Sequence, residues 1–202
     1  MAYRGLIAGL GNHGPEYAGN RHNFGFLVLE HILALAEKRP SLRVERLKCP
    51  GELALWRVEL ERKPCLLLKP LAYMNRSGRA VAKVLGRHGL SPAELLVLHD
   101  ELDLPLGRIK LKSGGGTNGH HGLDSIVEHL GGGEFHRLRL GIGRPPPGVD
   151  GGDWVLSDFA AEERPLVEQV LAEAFAGLRL FFGRGPAAAM QYLHSPDRES
   201  TA

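Results

Sequence analysis

The sequence predicts an α/β fold: a single-domain sandwich with a mixed, twisted β-sheet flanked by helices. Three observations carry this expectation. Two short continuous apolar runs, Cys65-Leu66-Leu67-Leu68 and Leu95-Leu96-Val97-Leu98, read as strands buried on both faces. Segments 52–60, 107–112 and 136–142 alternate apolar with charged residues, the period of a half-buried strand. Between the strands lie segments of helical spacing, led by 24–38, where Phe24, Leu27, Val28, Ile32, Leu35 and Ala36 recur on one face. Strands interleaved with helices define the α/β class.

Taken in order, a strand over 3–9 runs into a glycine turn, and Phe24 to Lys38 is a helix with Pro40 beyond its end. Segments 43–48 and 52–60 are strands joined by the turn Cys49-Pro50-Gly51-Glu52. The buried run at 65–68 follows, then a helix that Ser77 can cap and Gly89 stops after His88. Ser91-Pro92-Ala93-Glu94 reads as a helix start before the buried run at 95–98. Arg108, Lys110 and Lys112 share one strand face, and Ile109 and Leu111 the other. A glycine-rich loop, 114–122, precedes a helix over 123–130. In 136–142, Arg137 and Arg139 oppose Leu138, Leu140 and Ile142. A proline-rich loop spans 145–153, and two helices separated by Gly183-Arg184-Gly185-Pro186 complete a domain over 1–195, with 196–202 expected to be a frayed tail.

Composition excludes several classes. At 202 residues, 43% hydrophobic and 24% charged, the chain is neither disordered nor a coiled coil. Its two cysteines, Cys49 and Cys65, are too few for a disulfide framework or a cysteine zinc site, and read as unpaired buried thiols. No apolar stretch approaches the span of a bilayer and the N-terminus lacks a signal-peptide core, so a soluble cytoplasmic protein is expected. Net charge is only +2, but residues 1–148 hold 21 Lys and Arg against 14 Asp and Glu, whereas 149–202 hold 4 against 9. The basic three-quarters suits an anionic partner, although scatter gives the same counts.

Gly9-Leu10-Gly11-Asn12-His13-Gly14 matches the dinucleotide fingerprint G-x-G-x-x-G. That fingerprint needs a helix opening inside it, and here the next helix waits until Phe24, so dinucleotide binding is rejected. More informative are five polar segments at strand ends and in the loops after them. These are Asn12; Arg21-His22-Asn23; Tyr73-Met74-Asn75; His99-Asp100-Glu101-Leu102-Asp103; and Asn118-Gly119-His120-His121. Open α/β sheets carry their sites at strand ends. Singly, His22 also reads as a helix-start group, Asp100 as a loop cap, and Asn12 and Asn75 as turn residues. Together they describe a hydrolase-like polar site. Neither Ser77 nor Ser125 has a nucleophile-elbow context, so a histidine that activates water, oriented by an aspartate, is the natural chemistry. A metal site from His99, Asp100, Asp103, His120 and His121 is conceivable and less favoured.

Gly9-Leu10-Gly11-Asn12 with Gly14 and Tyr17, followed by Arg21-His22-Asn23 and Gly25, resembles the N-terminal signature of bacterial peptidyl-tRNA hydrolases. Lys69-Pro70, Tyr73-Met74-Asn75 and Ser77-Gly78 resemble the second motif, and His99 through Leu104-Pro105 with Gly107 the third. Lys112, Gly114-Gly115-Gly116, Gly119-His120 and Gly122-Leu123 resemble the fourth; Phe135-His136-Arg137-Leu138-Arg139 with Gly141-Ile142-Gly143-Arg144-Pro145 resembles the fifth. The resemblance runs in order from about residue 4 to 194.

It implies a monomer without metal or cofactor that hydrolyses the ester joining a peptide, or an N-blocked amino acid, to the 3′ end of tRNA. By motif position His22 is the base and Asp100 its orienting partner. Asn12, Tyr17, Asn23, Met74, Asn75, His120 and His121 are implied to face substrate. Lys112 and Arg139, with Arg137 beside them, are implied to hold the 5′-phosphate of the acceptor arm, and the peptide-bearing CCA end lies in the site. The other reading on the same fold is a non-catalytic RNA-binding relative, akin to organellar splicing factors; compact length and the lack of a transit peptide favour the enzyme. Two departures stand out: His13 where the family usually has Pro, and His121 where it usually has Asn.

Overall fold

The computed structural model describes residues 2–195, so the tail expected at 196–202 lies outside the described residues. Seven strands form one sheet: β1 (Leu6–Gly9), β2 (Val44–Leu47), β3 (Leu53–Leu60), β4 (Lys63–Pro70), β5 (Leu95–Glu101), β6 (Ile109–Ser113) and β7 (His136–Gly141). Their order is β2-β3-β4-β1-β5-β7-β6. The four central strands, β4, β1, β5 and β7, run parallel, and antiparallel β2, β3 and β6 finish the edges, so the sheet is mixed.

Among the described residues six α-helices cover it: α1 (Phe24–Lys38), α2 (Ser77–His88), α3 (His121–Leu130), α4 (Gly151–Leu156), α5 (Arg164–Arg184) and α6 (Pro186–Leu193). Strand alternation sorts the core into two layers. Ile7, Leu67, Leu96, Leu98, Leu138 and Leu140 face α1, α5 and α6. Leu6, Ala8, Leu66, Leu68, Leu95 and Val97 face α2 and α3. Burial of both faces explains the unbroken apolar runs in β4 and β5.

Several local expectations are corrected. Ser77 does not cap α2; Arg76 holds the cap position, and the Ser77 hydroxyl donates to the Met74 carbonyl at 2.9 Å. The helix after the glycine loop starts at His121, two residues early, because His120 caps it with its ring. The loop 145–153 is partly helical: Asp150 caps α4 by accepting from the Gly152 N–H. Ser91–Glu94 is a single capped 3-10 turn, because β5 begins at once. Cys65 is buried and its thiol is pushed up to about 12 by burial, whereas Cys49 is only half-buried.

Two glycines bring elements into contact. A side chain at Gly25 would strike the Leu98 carbonyl and the Leu10 backbone, so its absence lets α1 start against the ends of β1 and β5. A side chain at Gly78 would strike the Ser125 carbonyl, so α2 and α3 touch backbone to backbone, joined by the Gly78 N–H donating to Ser125 Oγ at 3.0 Å.

Candidate active site

The site gathers where β1, β4 and β5 end and their following loops turn back, the usual place for a site on an open parallel sheet. His22 lies in a one-turn 3-10 helix, Arg21–Asn23, just before α1. Asp100 projects from the buried end of β5. His22 Nδ1 stands 3.0 Å from both Asp100 carboxylate oxygens. A carboxylate only accepts, so Nδ1 carries a proton and, in the neutral imidazole, Nε2 is the nitrogen with the free lone pair.

His120 completes the cluster from the glycine loop. Its Nδ1 accepts from the Gly122 and Leu123 N–H groups at the start of α3, at 3.2 and 3.4 Å. Its proton is therefore on Nε2, which donates to Asp100 Oδ1 at 3.0 Å. Burial alone would raise the Asp100 carboxyl, but His22 and His120 outweigh it and hold Asp100 well below the usual carboxylate range. His99 packs edge-on against His120, at 5.1 Å between ring centroids. Its Nδ1 donates to the Asp100 carbonyl at 2.7 Å, and burial, then His120, push it down to about 3.

His22, Asp100 and His120 also bring three potential metal-binding atoms within 4.8 Å of one another. The hydrogen bonds argue against a metal there. Both histidine nitrogens that face Asp100 carry protons, and His120 could free its Nε2 only by abandoning the cap of α3. The other ligands considered are committed elsewhere: Asp103 accepts from Arg144 at 2.6 Å and from Asn118 at 3.3 Å, and His121 points outward beside Asp124.

Next to this cluster, Asn12 links the loop after β1 to Met74, which packs by Gly122. Asn12 Oδ1 accepts the Met74 N–H at 2.8 Å, which leaves its amide NH2 to donate. Asn23 differs from expectation. Its Oδ1 accepts the Asn12 N–H at 2.7 Å, its Nδ2 donates to the Asn12 carbonyl at 3.0 Å, and it is 3% exposed. It shapes the loop and has no amide group to spare for a ligand. Met74 is buried, with its sulfur over Gly122, while Asn75 is exposed beside it and Tyr17 is half-buried in the loop after Asn12. His121 is exposed at the first turn of α3. A cleft of about 510 Å³ runs past His22 and Asp100, between the Thr117–His121 loop and the start of α4.

The basic residues are distributed unlike the sequence expectation. Lys110 stands opposite Arg139, and Lys112 opposite Arg137, in the β6–β7 ladder. Arg137 is 2% exposed, and its guanidinium donates to the Gly115 and Gly116 carbonyls, so it braces the glycine loop and does not face solvent as a phosphate ligand would. Lys112 is exposed. Arg139 is half-buried and its Nε donates to Glu101 at 2.8 Å. Glu101 was named from sequence only as part of the polar segment 99–103, with no role; its shared strand parity with His99 was the available signal.

A buried Asp–His pair on the strand ends of an α/β sheet is an arrangement suited to hydrolases that activate water. Residues 6–201 match the family model described as peptidyl-tRNA hydrolase. The peptidyl-tRNA hydrolase of Maridesulfovibrio salexigens is 43% identical, over 100% of this chain and 99% of that protein. That of Sorangium cellulosum is 47% identical, over 92% and 81%. The crystal structure of peptidyl-tRNA hydrolase from Acinetobacter baumannii superposes with a TM-score of 0.84 at 36% identity, covering 96% of this chain and 97% of that one. The chain belongs to the peptidyl-tRNA hydrolase family.

Proposed function

We propose that this chain hydrolyses the ester linking a peptide, or an N-blocked amino acid, to the 3′ end of tRNA, with His22 as general base. The observation that carries the reading is the His22–Asp100 pair, 3.0 Å to each carboxylate oxygen, with Nε2 left as acceptor. Water gives its proton to His22 Nε2 as its oxygen attacks the ester carbonyl. Asp100 stabilises the imidazolium. The Asn12 amide donates to the developing oxyanion. The tetrahedral adduct then breaks its bond to the ribose oxygen, which takes the proton back from His22. Asn75 and Met74 border the peptide, with Tyr17 and His121 at the rim. An unblocked amino acid would bring a charged amine into this site, and its desolvation opposes binding.

Lys112 and Arg139 hold the 5′-phosphate of the acceptor arm, and the CCA end reaches His22. Contacts of this kind position the RNA without reading its sequence. No described helix is long and apolar enough to cross a membrane. A tRNA substrate places the reaction in the cytoplasm, and one chain supplies every group named, so a monomer suffices.

The test is single-turnover release of an N-acetylated amino acid from labelled tRNA. Wild type should release it, and His22→Ala should be slower by about 10²–10⁴-fold. Tight tRNA binding without release by wild type would overturn the reading in favour of an RNA-binding protein.

A further inference from the structure

We propose that Glu101 is a positioning residue in the recognition of a terminal phosphate: it holds the Arg139 guanidinium so that its free donor edge meets a phosphate monoester. The proposal rests on the reading above of Lys112 and Arg139 as the phosphate-binding residues.

Strand alternation puts Glu101, Arg139, Lys110 and Lys112 on the sheet face that carries α3. Glu101 is 7% exposed and both its oxygens are held. Oε1 accepts the Asp103 N–H at 3.1 Å, and Oε2 accepts Arg139 Nε–H at 2.8 Å. A carboxylate tied to the main chain cannot swing, so it fixes the rotation of the guanidinium. It engages Nε and leaves the Nη1 and Nη2 donors for a ligand. A planar donor fork held in this way suits phosphate oxygens better than a mobile ammonium does.

The same carboxylate subtracts charge. Lys110, Lys112 and Arg139 supply three positive charges at the surface, since Arg137 is buried under the loop; Glu101 reduces their sum to two. A terminal phosphate monoester carries about −1.5 to −2 near neutral pH, and a backbone phosphodiester carries about −1. The monoester is the more costly of the two to desolvate, and it gains more from a positive patch in proportion to its charge. The Glu101 carboxylate repels the larger charge of the monoester more than that of the diester, so what it adds to the preference is geometric: it holds the guanidinium plane where both Nη donors can meet one terminal phosphate.

The experiment compares N-acetyl-aminoacyl-tRNA bearing a 5′-phosphate with the same RNA bearing a 5′-hydroxyl, by steady-state hydrolysis and by tRNA binding across salt. Wild type should favour the 5′-phosphate. Glu101→Gln, which loses the charge-assisted bond that fixes the guanidinium, should cut that preference about threefold or more, through a higher KM for the 5′-phosphate RNA. Glu101→Asp, which keeps the charge, should restore most of the preference. Arg139→Lys, which keeps charge but lacks the fork, should lose preference and serves if Glu101→Gln does not fold. An undiminished preference in Glu101→Gln or Arg139→Lys overturns the proposal. So does an equal loss with both RNAs that Glu101→Asp fails to rescue, which marks a purely structural contact. Normal hydrolysis without any wild-type 5′-phosphate preference overturns this proposal and leaves the hydrolase reading intact. Absent hydrolysis, with the binding preference and its loss in Glu101→Gln both present, overturns the hydrolase reading alone.

Discussion

His99 shows what burial does to a titratable group beside the His22–Asp100 pair. Its Nδ1–H is satisfied by the Asp100 carbonyl, its Nε2 is buried without a hydrogen-bond partner, and it is pushed down to about 3. A neutral His99 adds no positive charge beside His120 and leaves Asp100 to its two donors. The unfolded chain protonates this residue near pH 6.5, the folded protein only near 3. Between those values the unfolded state binds one more proton, so stability falls with falling pH by about 1.4 kcal/mol per unit. His31, His88, His136 and His194 are also lowered, chiefly by burial, and act in the same sense, so the useful quantity is a difference between variants. Between pH 6.5 and 5, wild type should lose about 2 kcal/mol more than His99→Phe, read by denaturant unfolding at the two pH values. Equal losses would show that His99 is not held neutral by the fold. The sequence presented His99 as one of several polar neighbours; its orientation depends on β5 register and was not legible there.

At the scale of elements, the close approach of α2 and α3 positions the site from below. Met74 enters α2 on one side, and His120 caps α3 on the other. Gly78 makes the approach possible, since a Cβ there meets the Ser125 carbonyl. Gly78→Ala should separate the helices and destabilise the protein by about 1–3 kcal/mol, with a lower hydrolysis rate, as checked by thermal unfolding and single-turnover kinetics. An unchanged melting temperature would mean the helices have slack. The β3–β4 hairpin makes a contrasting case. Glu61 and Arg62 both adopt positive φ, 50° and 61°, in a two-residue turn that usually takes Asn and Gly. Arg62→Gly should stabilise the fold by about 0.5–1 kcal/mol in the same unfolding assay. Nothing in the local sequence signals this turn, because ordinary charged residues are forced into it by the pairing of Leu60 with Lys63.

At the scale of the molecule, a long-range tie holds the turn that carries His22. Arg21, next to His22, donates through both Nη nitrogens to Glu163 at 3.0 and 2.7 Å, and stacks 3.9 Å over Trp154. This joins the N-terminal site segment to the helices that follow α4. Burial would raise the Glu163 carboxyl, but the Arg21 hydrogen bonds prevail and lower it, so the stability it adds is present above about pH 4.5 and is lost as pH falls below. Removing one partner of a pair whose arginine is this buried leaves a charge uncompensated. Glu163→Ala should cost about 2–3 kcal/mol at pH 7 and slow hydrolysis, while His22 itself is intact. A wild-type melting temperature and rate would show that the tie is dispensable.

Length, apolar runs and alternation were enough to determine the α/β class, the span of α1 over Phe24–Lys38 and the stop of α2 at Gly89, because these depend on local period and local backbone preference. Ordered motifs were enough to indicate the family and to nominate His22 and Asp100. Tertiary structure decided the rest. It set Asn23 against the Asn12 backbone, buried Arg137 under the glycine loop, and made the His120 ring the cap of α3. It also paired Glu101 with Arg139 across the sheet. Those outcomes depend on which residues strand register and helix packing bring within about 3 Å, a quantity that one-dimensional spacing does not contain.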